Sequence, residues 1–298
     1  MKFPRHFALT ALLLLAASLS ASAKERIAVV IQADFGGAVM PGVVFSVSRE
    51  LLIVTVQPLI ARHDIDAAAR NLSYNAQTWP AGTVFVSVVD PGVGTRRQSV
   101  VLKTKNGQYF VSPDNGTLSL VAAEFGIDGV REIDESVNRR PGTEWSHTFH
   151  GRDVYAYTAA RLAAGVITFE QVGPLLPPRV VALEYPAPVL AAGTATGLLH
   201  EASEDGFGNV SCLIDRHTFA QLGLHEGDLV VATVRHSGQT VWEETVPYVK
   251  TFGEVAVGKN LLFVNSSGYV SLAINQGNFS QTYKIGSGHG WSISVRKK

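Results

Sequence analysis

The chain has 298 residues, with 25 Lys+Arg against 25 Asp+Glu, 46% hydrophobic residues, 28 Gly, 13 Pro and a single cysteine, Cys212. Such a length and apolar content suit two ordinary domains, each with its own core, and exclude a disordered, collagen-like or coiled-coil chain. A formal charge of zero without a Lys/Arg run gives no electrostatic case for a nucleic-acid partner, and one cysteine excludes an internal disulfide framework.

Lys2, Arg5 and His6 precede a mostly apolar run, Phe7–Leu19, which is followed by Ala21-Ser22-Ala23. A short basic region, a short apolar region and a small-x-small site predict a secretory leader over residues 1–23. The run is short for a membrane span. The expected mature protein is therefore exported, periplasmic or secreted, and free of the membrane after cleavage; an uncleaved anchor is the alternative.

Residues 24–185 alternate β-rich runs with helical patterns. Ile27–Ile31 and Leu51–Val56 read as strands and Ile65–Leu72 as a helix. Val84–Val89 is a nearly continuous apolar run of the kind buried on both faces. Val100–Thr104 and Tyr109–Ser112 flank the turn signal Asn106-Gly107. Leu118–Phe125 and Val154–Ala164 carry helical spacing and end near Gly126 and Gly165. This alternation predicts an α/β domain with a mostly parallel sheet. Five prolines between Pro174 and Pro188 predict a linker, since they defeat both helix and sheet. Beyond it, Leu229–Val234, Thr240–Val246, Leu261–Val264, Tyr269–Ile274 and Ser292–Val295 predict a small all-β, barrel-like domain over residues 189–298, with one short helix near Thr218–Leu222.

Three strings carry candidate chemistry. Asp90-Pro91-Gly92-Val93-Gly94-Thr95-Arg96-Arg97 begins where the buried strand ends, at the edge of an open α/β sheet where ligands bind. Its Pro and glycines turn the chain so that Arg97 comes back toward Asp90; a plain turn with an ion pair is the competing reading. His147-Thr148-Phe149-His150-Gly151-Arg152-Asp153 precedes a helix, where the dipole favours a neutral imidazole. A metal site from His147 and His150 lacks a third ligand at usual spacing, so none is expected. Pro113-Asp114-Asn115-Gly116-Thr117 is a turn feeding a helix. Later, Asp205-Gly206-Phe207-Gly208-Asn209 and Asn265-Ser266-Ser267-Gly268 present polar groups beside an aromatic, or are simply β-turns.

Taken in order, these strings, with Ala273-Ile274-Asn275 after the last, resemble the S-adenosyl-L-methionine (SAM) hydroxide adenosyltransferase family, relatives of the fluorinase and chlorinase. The resemblance covers nearly the whole mature chain. It implies an α/β domain, a β-barrel domain and a homotrimer with sites between subunits, SAM as substrate and no cofactor. The implied catalytic trio falls on Asp90, Arg97 and His150. Asp34 matches a carboxylate that would hold the ribose hydroxyls, and Asp205, Phe207, Asn209, Asn265 and Ser266 would line the adenine and methionine ends. Halide-transferring relatives carry Tyr where this chain has Asp90, and a carboxylate there would repel a halide, so the resemblance implies hydroxide transfer. Two strings depart from the family: Ala33-Asp34-Phe35-Gly36 runs almost directly into Gly37-Ala38-Val39-Met40, and Val56-Gln57-Pro58 replaces a Thr-His-acid string. An exported binding protein for an adenosyl or nucleoside ligand, its trio idle, is the rival expectation, and a hydrolase for a different sulfonium or nucleoside is the third.

Overall fold

The computed structural model describes residues 26–57, 60–202 and 207–298, so the expected leader lies outside the described residues. The chain divides into two compact units between Leu183 and Glu184, inside the proline-rich stretch.

The first unit is built on a seven-stranded sheet. In chain order its strands are β1 (Ala28–Ala33), β2 (Leu52–Thr55), β3 (Val84–Val88), β4 (Ser99–Thr104), β5 (Tyr109–Pro113), β6 (Ile127–Glu132) and β7 (Leu175–Leu176), and in space they run β2-β1-β3-β5-β4-β6-β7. The strands β2, β1, β3 and β5 are parallel. β4 pairs antiparallel with β5 across the Asn106-Gly107 turn, and β6 and β7 continue antiparallel to the far edge.

Side-chain alternation explains why the central strands read as continuous apolar runs. Val29 and Ile31 join Val84, Val86 and Val88 in one layer, under the helices Val39–Val47 and Ala156–Ala163, which supply Met40, Val43, Val44, Ala156 and Ala159. Ala28, Val30 and Phe85 face the other way, onto Leu72 and Ala76 of the helix Ile65–Ala76 and Val121 of Ser119–Phe125. Burial on both faces leaves no polar side to alternate with.

Two expectations need correction here. The helix Val39–Val47 is not legible in the sequence because it contains Pro41 and Gly42. Pro41 lies in the first turn, where the amide has no helical acceptor, so the ring is tolerated. Within the stretch read as a linker, Leu175–Leu176 pairs with Val130 and Arg131 at the sheet edge, where flanking prolines cost no ladder bond.

The second unit is an antiparallel, nearly closed barrel-like sheet. Its strands are β8 (Val189–Ala191), β9 (Thr194–Ala202), β10 (Val210–Asp215), β11 (Leu229–His236), β12 (Gln239–Pro247), β13 (Asn260–Val264), β14 (Tyr269–Ile274) and β15 (Trp291–Lys297). They run β12-β11-β15-β9-β10-β14-β13, with β8 beside β9. Asn260 Nδ2 of β13 donates to Glu244 Oε2 of β12 at 2.5 Å, tying the two ends of the order together. Leu199, Val210, Ile214, Val234, Leu272 and Ile293 fill the interior with Cys212, whose thiol burial pushes up to about 12. The predicted short helix forms at Arg216–Ala220, where Asp215 caps it by accepting from the His217 and Thr218 amides. A second, Phe279–Tyr283, packs its Phe279 on Trp242. No described helix is long and apolar enough to cross a membrane.

Candidate active site

The parallel strands β1, β3 and β5 end on the same side of the sheet, so Asp34, Asp90 and Asp114 follow their carboxyl ends. A hydrogen-bonded turn, Val93 N–H to the Asp90 carbonyl and Thr95 N–H to the Gly92 carbonyl, sends the chain back toward β4. Arg97 thereby meets Asp90. Its Nε donates to Oδ1 at 2.9 Å and its Nη2 to Oδ2 at 2.5 Å, a bidentate fork with both side chains largely out of water. Nη1 donates to Ser99 Oγ at 2.9 Å, which fixes the third corner of the guanidinium. Burial alone would lower the Arg97 pKa, but the Asp90 hydrogen bond and nearby negative groups raise it, so the positive charge is permanent.

His150 reaches the same guanidinium from the other side of the fold. It stands at the head of a π-helical turn, Gly151–Tyr155, which continues into Ala156–Ala163. The expected helix thus starts three residues early, with the Ala156 amide bonded to the Gly151 carbonyl. Gly151 is required by close approach: a Cβ there would lie 3.2 Å from Phe35 Cζ and from Val88 Cγ1 and 3.3 Å from Met40 Sδ. That contact brings His150 down to the β3 end. Its Nδ1 is 3.2 Å from Arg97 Nη2. Because a guanidinium only donates, Nδ1 carries a lone pair in this arrangement. Burial is the main cause that moves the His150 pKa down; Glu135 opposes it, while Arg97 and Arg139 add to it.

Tyr155 lies beneath the site, its ring 5.7 Å from the Arg97 guanidinium carbon and its hydroxyl 3.1 Å from Ser99 Oγ. Burial drives its phenol far above the ordinary range, so it stays neutral. The last two residues of the His-Gly-Arg-Asp string are structural: Arg152 forks onto the fully buried Asp153 at 2.6 and 2.8 Å and stacks on Phe149. Phe149 meets the edge of Phe35 at 5.5 Å, which joins this string to the segment after β1.

Asp34 does not contact the trio; its Oδ2 accepts from the His63 amide at 2.9 Å. β1 and β3 pair in register up to Ala33 and Val88, so Asp34 and Asp90 follow neighbouring strand ends. In the third string, Asp114 accepts from the Val181 amide and Asn115 donates to the Val89 carbonyl at 2.8 Å, so both pin loops around the β3 end. His147 is exposed, and among the described residues no group of three His, Cys, Asp or Glu side chains is placed to hold a metal.

The profile of the SAM hydroxide adenosyltransferase N-terminal domain matches residues 29–173, and that of its C-terminal domain matches residues 202–292. The chain belongs to the SAM hydroxide adenosyltransferase family. A relative from Salinispora tropica named (R)-S-adenosyl-L-methionine hydrolase is 35% identical, covering 82% of this chain and 87% of its own. One of the same name from Thermus thermophilus is 31% identical over 79% and 85%, and a fluorinase from Actinopolyspora mzabensis is 27% identical over 86% and 90%. The crystal structure of an uncharacterized conserved protein from Thermotoga maritima superposes with a TM-score of 0.80 at 32% identity, over 90% of this chain and 100% of that one.

In this family member the remaining candidates sit in the second unit. Phe207 is 87% exposed and Asn209 half-buried. The Asn265 amide is engaged within the β13–β14 turn: Oδ1 accepts from the Ser267 and Tyr269 amides, and Nδ2 donates to Ser211 and Ser271. Ser266 is exposed at the tip of that turn. Asp205 lies outside the described residues. Sequence reasoning missed Ser99, Tyr155, Glu135 and Arg139, which surround the trio. Two of them carry a local signal, for Ser99 opens the strand after Arg97 and Tyr155 is one wide helical turn beyond His150.

Proposed function

We propose that the protein hydrolyses SAM to adenosine and methionine by attack of water on the ribose 5′ carbon. The observation that carries this reading is one guanidinium that forks onto the Asp90 carboxylate and places its Nη2 3.2 Å from the His150 ring. Relatives named as SAM hydrolases support it. Water attacks in line with the sulfonium; the C5′–O bond forms as the C5′–S bond breaks, and the bonding pair leaves with sulfur as a neutral thioether. The leaving group needs no proton, whereas the water must lose one. Arg97 stabilises hydroxide character at the attacking oxygen, Asp90 orients it, and His150 takes the proton. The carboxylate of Asp90 disfavours a halide in the same place, which supports hydroxide as the transferred group.

Around this centre, Asp34 would hold the ribose, and Asp205, Phe207, Asn209, Asn265 and Ser266 would meet the adenine and methionine ends. The exposed Phe207 ring supports a homotrimer with the site completed between subunits, and the Lys2–Ala23 leader pattern supports an exported, periplasmic enzyme. Incubating purified residues 24–298 with SAM yields adenosine detectable by chromatography, from a particle of three chains by light scattering. No adenosine would overturn the reaction, and a single-chain mass the trimer.

The pH dependence has a definite sign. His150 must be neutral to accept a proton, and burial holds its pKa below the ordinary histidine value. The rate of adenosine release is therefore flat through neutral pH and falls only on the acid side of about 6.5. An acid limb above that value would remove His150 as the acceptor.

A further inference from the structure

We propose that Glu135 is a positioning residue for His150, whose carboxylate selects the ring form in which the second imidazole nitrogen is free to take the water proton. The proposal rests on the water-attack reading above. Two groups face His150 Nδ1: Arg97 Nη2 at 3.2 Å and Glu135 Oε1 at 3.8 Å. A guanidinium only donates and a carboxylate only accepts, so the two make opposite demands on one nitrogen. With Nδ1 bare, Arg97 donates to it, the ring proton sits on Nε2, and Nε2 is useless as a base. With a proton on Nδ1, Glu135 accepts it and Nε2 presents its lone pair. The water proton then goes to Nε2, and the Nδ1 proton of the resulting imidazolium stays hydrogen-bonded to Glu135.

Glu135 is built for this position. It opens the short helix Glu135–Asn138, which Asp134 caps by accepting from the Ser136 amide. Its other oxygen, Oε2, is paired to Arg139 Nη2 one turn on, and Arg139 Nη1 is itself anchored on the Ser146 carbonyl at 3.0 Å. One carboxylate oxygen is thus fixed while the other is turned to the imidazole. The charged and titratable groups around the ring are Asp90 and Arg97 from the β3–β4 turn, Glu135 and Arg139 from this helix, and Tyr155 from the π turn. Of the two carboxylates, Asp90 is already taken by the Arg97 fork, which leaves Glu135 as the acceptor for Nδ1.

The test compares the whole protein with Glu135→Gln and Glu135→Asp. The His150 imidazole is titrated by NMR, its signals assigned by their loss in His150→Asn, and steady-state kinetics are run alongside. In Glu135→Gln the His150 titration and the acid limb of the rate profile move together to lower pH by about half a unit or more. There kcat falls about tenfold with KM within twofold, and Glu135→Asp recovers part of the loss. An unchanged His150 titration in Glu135→Gln, or a KM rise with kcat intact, overturns the proposal. If the unaltered protein releases no adenosine, the hydrolysis reading fails separately, and the NMR shift still decides whether Glu135 governs the ring proton.

Discussion

Arg97→Ala lowers kcat for adenosine release by about 10²–10³-fold, the usual cost of removing one fixed donor from a developing oxyanion. Chromatographic assay at saturating SAM checks it, and turnover within threefold of the unaltered enzyme would overturn the role given to Arg97. The same change also unbalances the fold. Asp90 has a side chain only 6% exposed, and truncating the guanidinium leaves a carboxylate in that setting without its partner. Breaking a buried pair from one side costs about 3–5 kcal/mol. Arg97→Ala/Asp90→Asn, which removes both charges, regains most of that stability and none of the activity. Arg97→Lys keeps the charge but cannot fork onto Asp90 while also reaching Ser99 and His150, so it retains the fold and recovers little rate. This set separates a structural ion pair from a catalytic one.

Asp153→Ala destabilises the first unit by about 3 kcal/mol, again by stranding one member of a buried pair. For a unit of this size the unfolding midpoint drops by about 5–10 °C, read by thermal denaturation at neutral pH. Burial alone would raise the Asp153 pKa, but the hydrogen bonds from Arg152 and Ser146 outweigh it and hold the carboxyl below its usual range. A depressed folded-state value means the contribution is fully present above the unfolded carboxyl pKa, about 3.9, and is lost as pH falls through the folded one. The gap between Asp153→Ala and the unaltered protein therefore closes at strongly acid pH. A gap that is constant from pH 7 to pH 2 would mean that shape, not charge, is what Asp153 supplies.

Both arguments use strings that stand out in the sequence, and the reason is physical. A turn rich in Pro and Gly after a buried strand can only bring the chain back on itself, so the meeting of Asp90 with Arg97 was legible. That His150 would join them was implied by the family resemblance and by nothing local, for the contact depends on Gly151 letting the helix start settle on Val88 and Phe35. Glu135 carries no sequence mark at all; it reaches the imidazole through tertiary placement. The fold shows the same division. The runs at Val84–Val88 and Tyr269–Ile274 announce themselves by bulk, whereas β9 is built on Ala195, Gly197 and Leu199, too small and mixed to show an alternation. Gly197 has to be small because a Cβ there would sit 2.8 Å from Ile214 Cγ1 and 2.9 Å from its amide nitrogen.

The wide turn at Gly151–Tyr155 has a consequence for how this protein tolerates change. It holds one more residue per turn than the helix it feeds, so it sets the phase at which Tyr155 and everything after it face the sheet. Deleting a single residue there would rotate Ala156 and Ala159 by roughly 100° away from the layer they fill. Divergence in this stretch is thus open to exchange of one side chain for another but closed to insertion or loss, and its length is held more tightly than its spelling.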